Sequence, residues 1–213
     1  IFMASVLAAA GLIEELFDVV YQILGGLKGG LATATIIAAT ILAAMVGVIG
    51  AAEVTMGIVA LPAMLKRKYN PVMACGSILA GGTLGILIPP SILAIIFAVV
   101  AQQSVGELFI GAFFPGFLLS GMYILYVTGL SYVKDGYGPA LPKEERISVK
   151  QKLILLKGII APILLVCLVL GVIFTGVATP VEAAGIGTFG ALVVAALSRK
   201  LSWTNISTAA ITT

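Results

Sequence analysis

The residues that could do chemistry in this sequence are not the usual acids, bases and nucleophiles. They form the run Gly81-Gly82-Thr83-Leu84-Gly85-Ile86-Leu87-Ile88-Pro89-Pro90-Ser91, set inside a long apolar stretch. Three glycines and two adjacent prolines cannot continue an ordinary helix. A helix broken there becomes two half-helices. The carbonyl end of the first can coordinate a cation, and the amide end of the second attracts an anion. Gly81, Gly82, Thr83 and Gly85 lie where the first half is expected to unwind, and Pro90 and Ser91, after Pro89, begin the second. A second glycine-bearing stretch, from Gly47 to Ala52, offers a similar pair of ends. A small hard cation such as sodium needs only oxygen ligands, and backbone carbonyls suffice. The alternative for each glycine is close helix packing. Glu53 is the one ionisable residue of 31–65. Such a residue is a functional candidate by default, and pairing or snorkelling is the equal alternative.

Other chemistries are excluded by what is missing. The chain has no histidine, which removes most zinc sites, most Ser-His catalysis and haem ligation from this stretch. Cys75 and Cys167 sit in apolar runs and read as small buried hydrophobes rather than a disulfide or ligands. The net charge of +3 is too small to argue for nucleic acid. An intramembrane enzyme would need a Ser/His pair or paired aspartates within the membrane, whereas Asp18 and Asp135 both lie in polar segments.

The elements that must hold the broken helix follow from composition. Of 213 residues, 61% are hydrophobic and only 10% charged, with a mean hydropathy of +1.20. A soluble domain is nearer half apolar and a quarter charged. Disorder would need the opposite bias. Long unbroken apolar runs rather than alternating strands leave an all-α polytopic membrane protein. The sequence opens at Ile1 already apolar, and a new segment begins after Ser198-Arg199-Lys200. It reads as the middle of a longer protein.

Residues 1–30 read as the end of a span and an amphipathic connecting helix. In the latter, Leu12, Ile13, Leu16, Phe17, Val19, Val20, Ile23, Leu24 and Leu27 oppose Glu14, Glu15, Asp18 and Gln22. The run 31–65 would make a straight helix about 50 Å long, against a hydrocarbon core of about 30 Å. A re-entrant hairpin with a glycine-rich tip fits better, with two short spans or one kinked helix as alternatives. The broken helix follows at 71–103, entered through Asn70-Pro71 as N-cap and first helical residue. A span at 108–133, a loop at 134–152 and spans at 153–174 and 182–197 come next, and 201–213 starts another segment. Ser104 with Glu107 and Thr179 with Glu182 read as helix caps rather than site residues; Ser148 to Gln151 is another possible capping box. Threaded this way, all 12 basic residues fall on one face. The positive-inside rule makes that face, including 66–70, 134–152 and 198–200, cytoplasmic.

At these residues the sequence resembles the DctM-like large membrane subunit of tripartite ATP-independent periplasmic (TRAP) transporters. The resemblance covers almost the whole chain. It rests on GGLATATIIAATILAAM (29–45), LPAMLKRKYN (61–70), AGGTLGILIPPS (80–91), SVGELFIGAFFPG (104–116) and GVATPVEAAGIG (176–187). The variant VGVIGAAEVTMG (46–57) looks like the branch often labelled mannitol/chloroaromatic. The resemblance implies one inverted repeat and part of the scaffold of an elevator-type carrier in the ion transporter superfamily. It implies import of organic acids, commonly carboxylates, by sodium symport through the inner membrane. It also implies a periplasmic substrate-binding protein and a small membrane subunit as partners, and no cofactor beyond the coupling sodium. Gly47 to Gly50 and Gly81 to Ser91 would be the first repeat's share of the sodium and substrate sites. Many relatives carry a serine-rich tip where this chain has Gly47-Val48-Ile49-Gly50. That leaves backbone carbonyls and Thr55 or Thr83 as the candidate ligands. A single-component carrier of the same superfamily, without a binding protein, is the competing transport reading. A subunit with no site of its own would carry the backbone cost of a broken helix to no purpose.

Overall fold

The computed structural model describes residues 2–142, 151, 152, 155, 157–198 and 200–211. Every regular element among them is helical. In chain order these are α1 (Phe2–Ala9), α2 (Leu12–Leu24), α3 (Gly30–Val46), α4 (Ile49–Lys66), α5 (Pro71–Leu87), α6 (Ile92–Val100), α7 (Val105–Val133), α8 (Lys157–Phe174), α9 (Pro180–Leu197) and α10 (Trp203–Ile211). The segments α4, α5 with α6, α7 and α9 are long and apolar enough to cross a membrane. Their outward faces carry side chains such as Val54, Phe97, Phe114, Leu125 and Phe189 in the open. Apolar cover of that extent belongs against lipid rather than water. The protein is an all-α polytopic membrane protein. The charge run Lys143-Glu144-Glu145-Arg146, the start of the Ser148 capping pattern, the first residues of 153–174 and Arg199 lie outside the described residues.

The centre is α3, buried on nearly every side. Its sequence is mostly alanine, threonine and β-branched residues, so neighbours approach it closely. The threonines lie buried because their hydroxyls are satisfied. Thr35 donates to Leu31 O at 2.9 Å, Thr40 donates to Ile36 O at 2.7 Å, and Thr33 meets Thr128 of α7 at 3.1 Å. α3 and α4 form a hairpin through the two-residue turn Gly47-Val48. At 17 and 18 residues the arms are about 25–27 Å long. Both arms pack on α5. α4 presents Ala52, Met56, Ala60 and Met64, one residue per turn, as its buried stripe. Met64 Sδ receives the hydroxyls of Thr35 at 3.7 Å and Ser77 at 3.8 Å, tying hairpin to α5 at the open end.

That open end is closed by Tyr69. Its hydroxyl accepts the Leu31 amide at 3.1 Å, one of the first-turn donors that α3 cannot satisfy internally. Tyr69 is buried, and burial pushes its phenol from 10.0 up to about 12, against a smaller opposing effect of the Leu31 amide. The folded state thus keeps this proton where the unfolded chain has lost it. The associated stability is intact below about pH 10 and falls away as pH rises through about 12. Tyr69→Phe should remove one late-titrating phenol from the alkaline tyrosinate absorbance curve. It should also cost about 1–3 kcal/mol by orphaning the Leu31 amide. Persistence of the late phenol in that variant would show the assignment to be wrong.

Three differences from the sequence reading have physical causes. The helix expected to unwind at Gly81–Gly85 stays helical through Leu87, and the break is confined to 88–91. Glycine inside a helix costs only about 1 kcal/mol, whereas two successive prolines remove two amides outright. The second half-helix ends at Val100, followed by a turn with Gln102 at φ 53°, so 71–103 is shortened at its end. Cys75 and Cys167 are free thiols on outward faces rather than buried fillers; in an apolar surround, exposure carries no penalty for a small hydrophobe.

Beyond the hairpin, α7 opens at Val105 with Ser104 accepting the Glu107 amide at 3.4 Å. α9 opens at Pro180 with a reciprocal cap. Thr179 accepts the Glu182 amide at 3.4 Å, and the Glu182 carboxylate accepts the Thr179 amide at 2.8 Å. α1 packs against both α9 and α10.

Candidate functional site

Four helix ends meet where the hairpin tip touches the break. Gly47 takes the left-handed conformation, φ 67°, and closes α3 by donating its amide to Ala43 O at 2.9 Å. Its own carbonyl accepts the Ile92 amide of α6 at 3.4 Å. A Cβ on Gly47 would stand 2.6 Å from Pro90 O. One on Gly85 would lie 3.6 Å from the Val48 carbonyl. Gly47 must be glycine for the two irregular segments to come this close, whereas at Gly85 a Cβ would make only ordinary van der Waals contact. The carbonyl ends of α3 and α5 therefore sit beside the amide ends of α4 and α6, with the partial charges such termini carry.

The break itself is rich in acceptors. Ile88 donates its amide to Leu84 O at 2.7 Å, and the next two residues, Pro89 and Pro90, have carbonyls but no N–H. The Pro89–Pro90 peptide is cis. Ser91 is fully buried and caps α6 by accepting the Ala94 amide at 3.4 Å. No cluster of three His, Cys, Asp or Glu side chains exists among the described residues. The oxygens that the tip and the break themselves offer are backbone carbonyls and the Ser91 hydroxyl. A cavity of about 120 Å³ adjoins the break, walled by Val46, Pro90 and Ser91, Met3 of α1, Ile173 of α8 and Thr188 of α9.

The residues singled out from sequence divide into two groups. Gly47, Val48, Gly85, Pro90 and Ser91 are brought together at the tip and break, with Pro89 in the same irregular segment. Ile49 and Gly50 belong to the first turn of α4, and Gly50 faces open space. Gly81 and Gly82 are packing glycines on α5. A Cβ on Gly81 would stand 2.6 Å from the Ala39 Cβ, and one on Gly82 would collide with the Glu53 side chain. Thr83 is exposed and donates to Ala80 O at 2.8 Å; Thr55 donates to Ala51 O at 2.8 Å. Both hydroxyls are engaged with their own helices, more than a turn from the break.

Sequence reasoning missed the Ile92 amide and the wall supplied by α1, α8 and α9. The signal for that wall lay in Gly187 and Gly190. A Cβ on Gly187 would stand 2.8 Å from both Met3 Sδ and Val169 Cγ2, and one on Gly190 2.5 Å from Leu165 Cδ1. Small residues at that spacing announce close packing without naming the partner helix.

Comparison with known proteins matches this architecture to one family. The family described as "Tripartite ATP-independent periplasmic transporter, DctM component" matches residues 1–213. The C4-dicarboxylate TRAP transporter large permease protein DctM of Vibrio cholerae is 33% identical over 186 residues, covering 87% of this chain and 40% of that protein. The protein of the same description from Rhodobacter capsulatus is 31% identical over 94% of this chain and 48% of its own length. The isethionate TRAP transporter permease protein DctMQ of Oleidesulfovibrio alaskensis is 31% identical over 92% of this chain and 30% of its own length. The chain thus spans less than half the length of these curated relatives. On the full-length family match and these identities, the chain belongs to the DctM component family of tripartite ATP-independent periplasmic transporters.

Proposed function

We propose that this chain supplies the first hairpin and first broken helix of a large permease that imports an organic acid by sodium symport. The observation carrying this reading is the meeting of four helix ends at Gly47-Val48 and Pro89-Pro90-Ser91, with an acceptor-rich break and, among the described residues, no acidic cluster beside it. Carbonyls of the α3 and α5 ends suit a desolvated monovalent cation, and the α6 amide end suits a carboxylate. The names of relatives, C4-dicarboxylate and isethionate transporters, support an organic anion as substrate. The hairpin and α5 form one packed body, the unit that an elevator motion would carry. A periplasmic binding protein would deliver the substrate and a small membrane subunit would brace the permease. The basic loops would face the cytoplasm of a bacterial or archaeal cell, with the bilayer around the apolar faces.

The test is uptake of labelled organic acids into proteoliposomes holding the complete large subunit and its small partner. It is run with and without an inward sodium gradient and with and without the binding protein. Uptake requiring both supports the proposal. Uptake requiring sodium alone transfers the protein to the single-component reading. Sodium-independent uptake overturns the cation site.

A further inference from the structure

At the end of the molecule away from the hairpin tip, three loops are knitted together. Gly29 N donates to Gly138 O at 2.9 Å, Asn70 N to Tyr137 O at 3.2 Å, and Leu141 N to Gly25 O at 2.6 Å. These bonds gather Lys28, Lys66, Arg67, Lys68 and Lys134 at one end, with Asp135 the acid of these loops among the described residues. Asp135 is taken up by Lys28 at 3.0 Å. Lys134 meets no carboxylate among the described residues, and its ammonium lies over the Tyr137 ring, 5.2 Å from the centroid.

From Lys134 an open groove of about 420 Å³ runs between α5 and α7. Met73 and Ser77 are among its floor residues, and Tyr126 and Leu130 among those of its α7 wall. On the α5 side it extends from Val72 to Ala80, about 12 Å of helix. Gly76 lies midway, and a Cβ there would meet nothing within 4 Å. The groove is apolar along its length, lined by tyrosines and charged only at the mouth.

We infer that this groove is a binding site for an anionic phospholipid, one acyl chain lying along Gly76 and the phosphate meeting Lys134 at the mouth. The charge complementarity is specific. A cation that meets no carboxylate among the described residues stands where an apolar trough between two membrane helices reaches the basic end of the protein. Tyr137, beside Lys134 at the mouth, is of the side-chain type that favours the headgroup boundary. A zwitterionic lipid would fill the same trough but would gain less from the Lys134 ammonium and the cations around it.

The experiment uses the full-length permease, purified in detergent and exposed to equal phosphatidylglycerol and phosphatidylcholine with matched chains. Retained lipids are counted by native mass spectrometry. Phosphatidylglycerol should be preferred about fivefold for the most tightly held lipid, the ratio that one near-surface lysine supplies. Lys134→Gln should bring the ratio close to parity while Lys134→Arg preserves it. Gly76→Leu, filling the trough, should remove one retained lipid of either kind. An unchanged ratio in Lys134→Gln overturns the headgroup assignment. An unchanged lipid count in a folded Gly76→Leu overturns the groove. Should Gly76→Leu fail to fold, the paired Lys134 variants, which alter only an exposed side chain, still decide the question.

Discussion

Gly47→Ala should reduce sodium-driven uptake by more than about tenfold, while Gly50→Ala, three residues on, should leave it within about twofold. Both glycines belong to the same short stretch, and nothing in the sequence ranks them. The structure does. Gly47 is buried with φ at 67°, where an L-residue loses about 1–2 kcal/mol. Its added Cβ would also stand 2.6 Å from the Pro90 carbonyl, a backbone atom that can retreat only by moving the break. The two costs together exceed the 1.4 kcal/mol that corresponds to a factor of ten. Gly50 has an ordinary helical setting in the first turn of α4 and nothing within 4 Å of a Cβ, so alanine there should favour the helix. Gly47→Asn separates the contributions, since asparagine tolerates the left-handed region but brings the same Cβ. It should fail nearly as badly as alanine. Uptake by Gly47→Ala at the wild-type level would mean that tip and break need not touch.

Much of the architecture was legible because the membrane makes the sequence speak coarsely. Apolar runs of defined length and the Asn70-Pro71 and Thr179-Pro180-Val181-Glu182 signatures are local or compositional signals. The tip and the break were legible for the same reason, as the two places where a helix could not simply continue. What the sequence left undetermined is which glycines unwind a helix and which receive a neighbour. Gly81, Gly82 and Gly85 sit four to eight residues before the first of two prolines, and local reasoning merges them into one irregular segment. Resolving them needs the identity of the packed atom: Ala39 for Gly81, Glu53 for Gly82, Val48 for Gly85. Each is more than 25 residues away in the chain, so only tertiary structure supplies it. The same holds for Cys75 and Cys167, whose apolar surroundings fix the environment but not the helix face.

Gly82→Ala should destabilise the protein by about 1–3 kcal/mol, and Glu53→Ala in the same chain should restore most of the loss. The place a Gly82 Cβ would occupy is already taken by the Glu53 side chain, reaching across from α4. That side chain is half-buried, and its carboxylate makes no hydrogen bond or ion pair among the described residues. The close approach is therefore one of shape, methylene against helix backbone. Truncating Glu53 opens the space the alanine needs, so the double variant should lie near Glu53→Ala alone rather than at the sum of the two. Thermal unfolding of the four proteins gives the coupling directly. Glu53→Gln keeps the shape and removes the charge. Because the stem rather than the carboxylate fills the contact, that variant should unfold like the wild type and keep its sodium response within about twofold. A sodium response lost in Glu53→Gln at unchanged stability would instead make the carboxylate part of the coupling site, carried on the second arm of the hairpin a single turn from its tip.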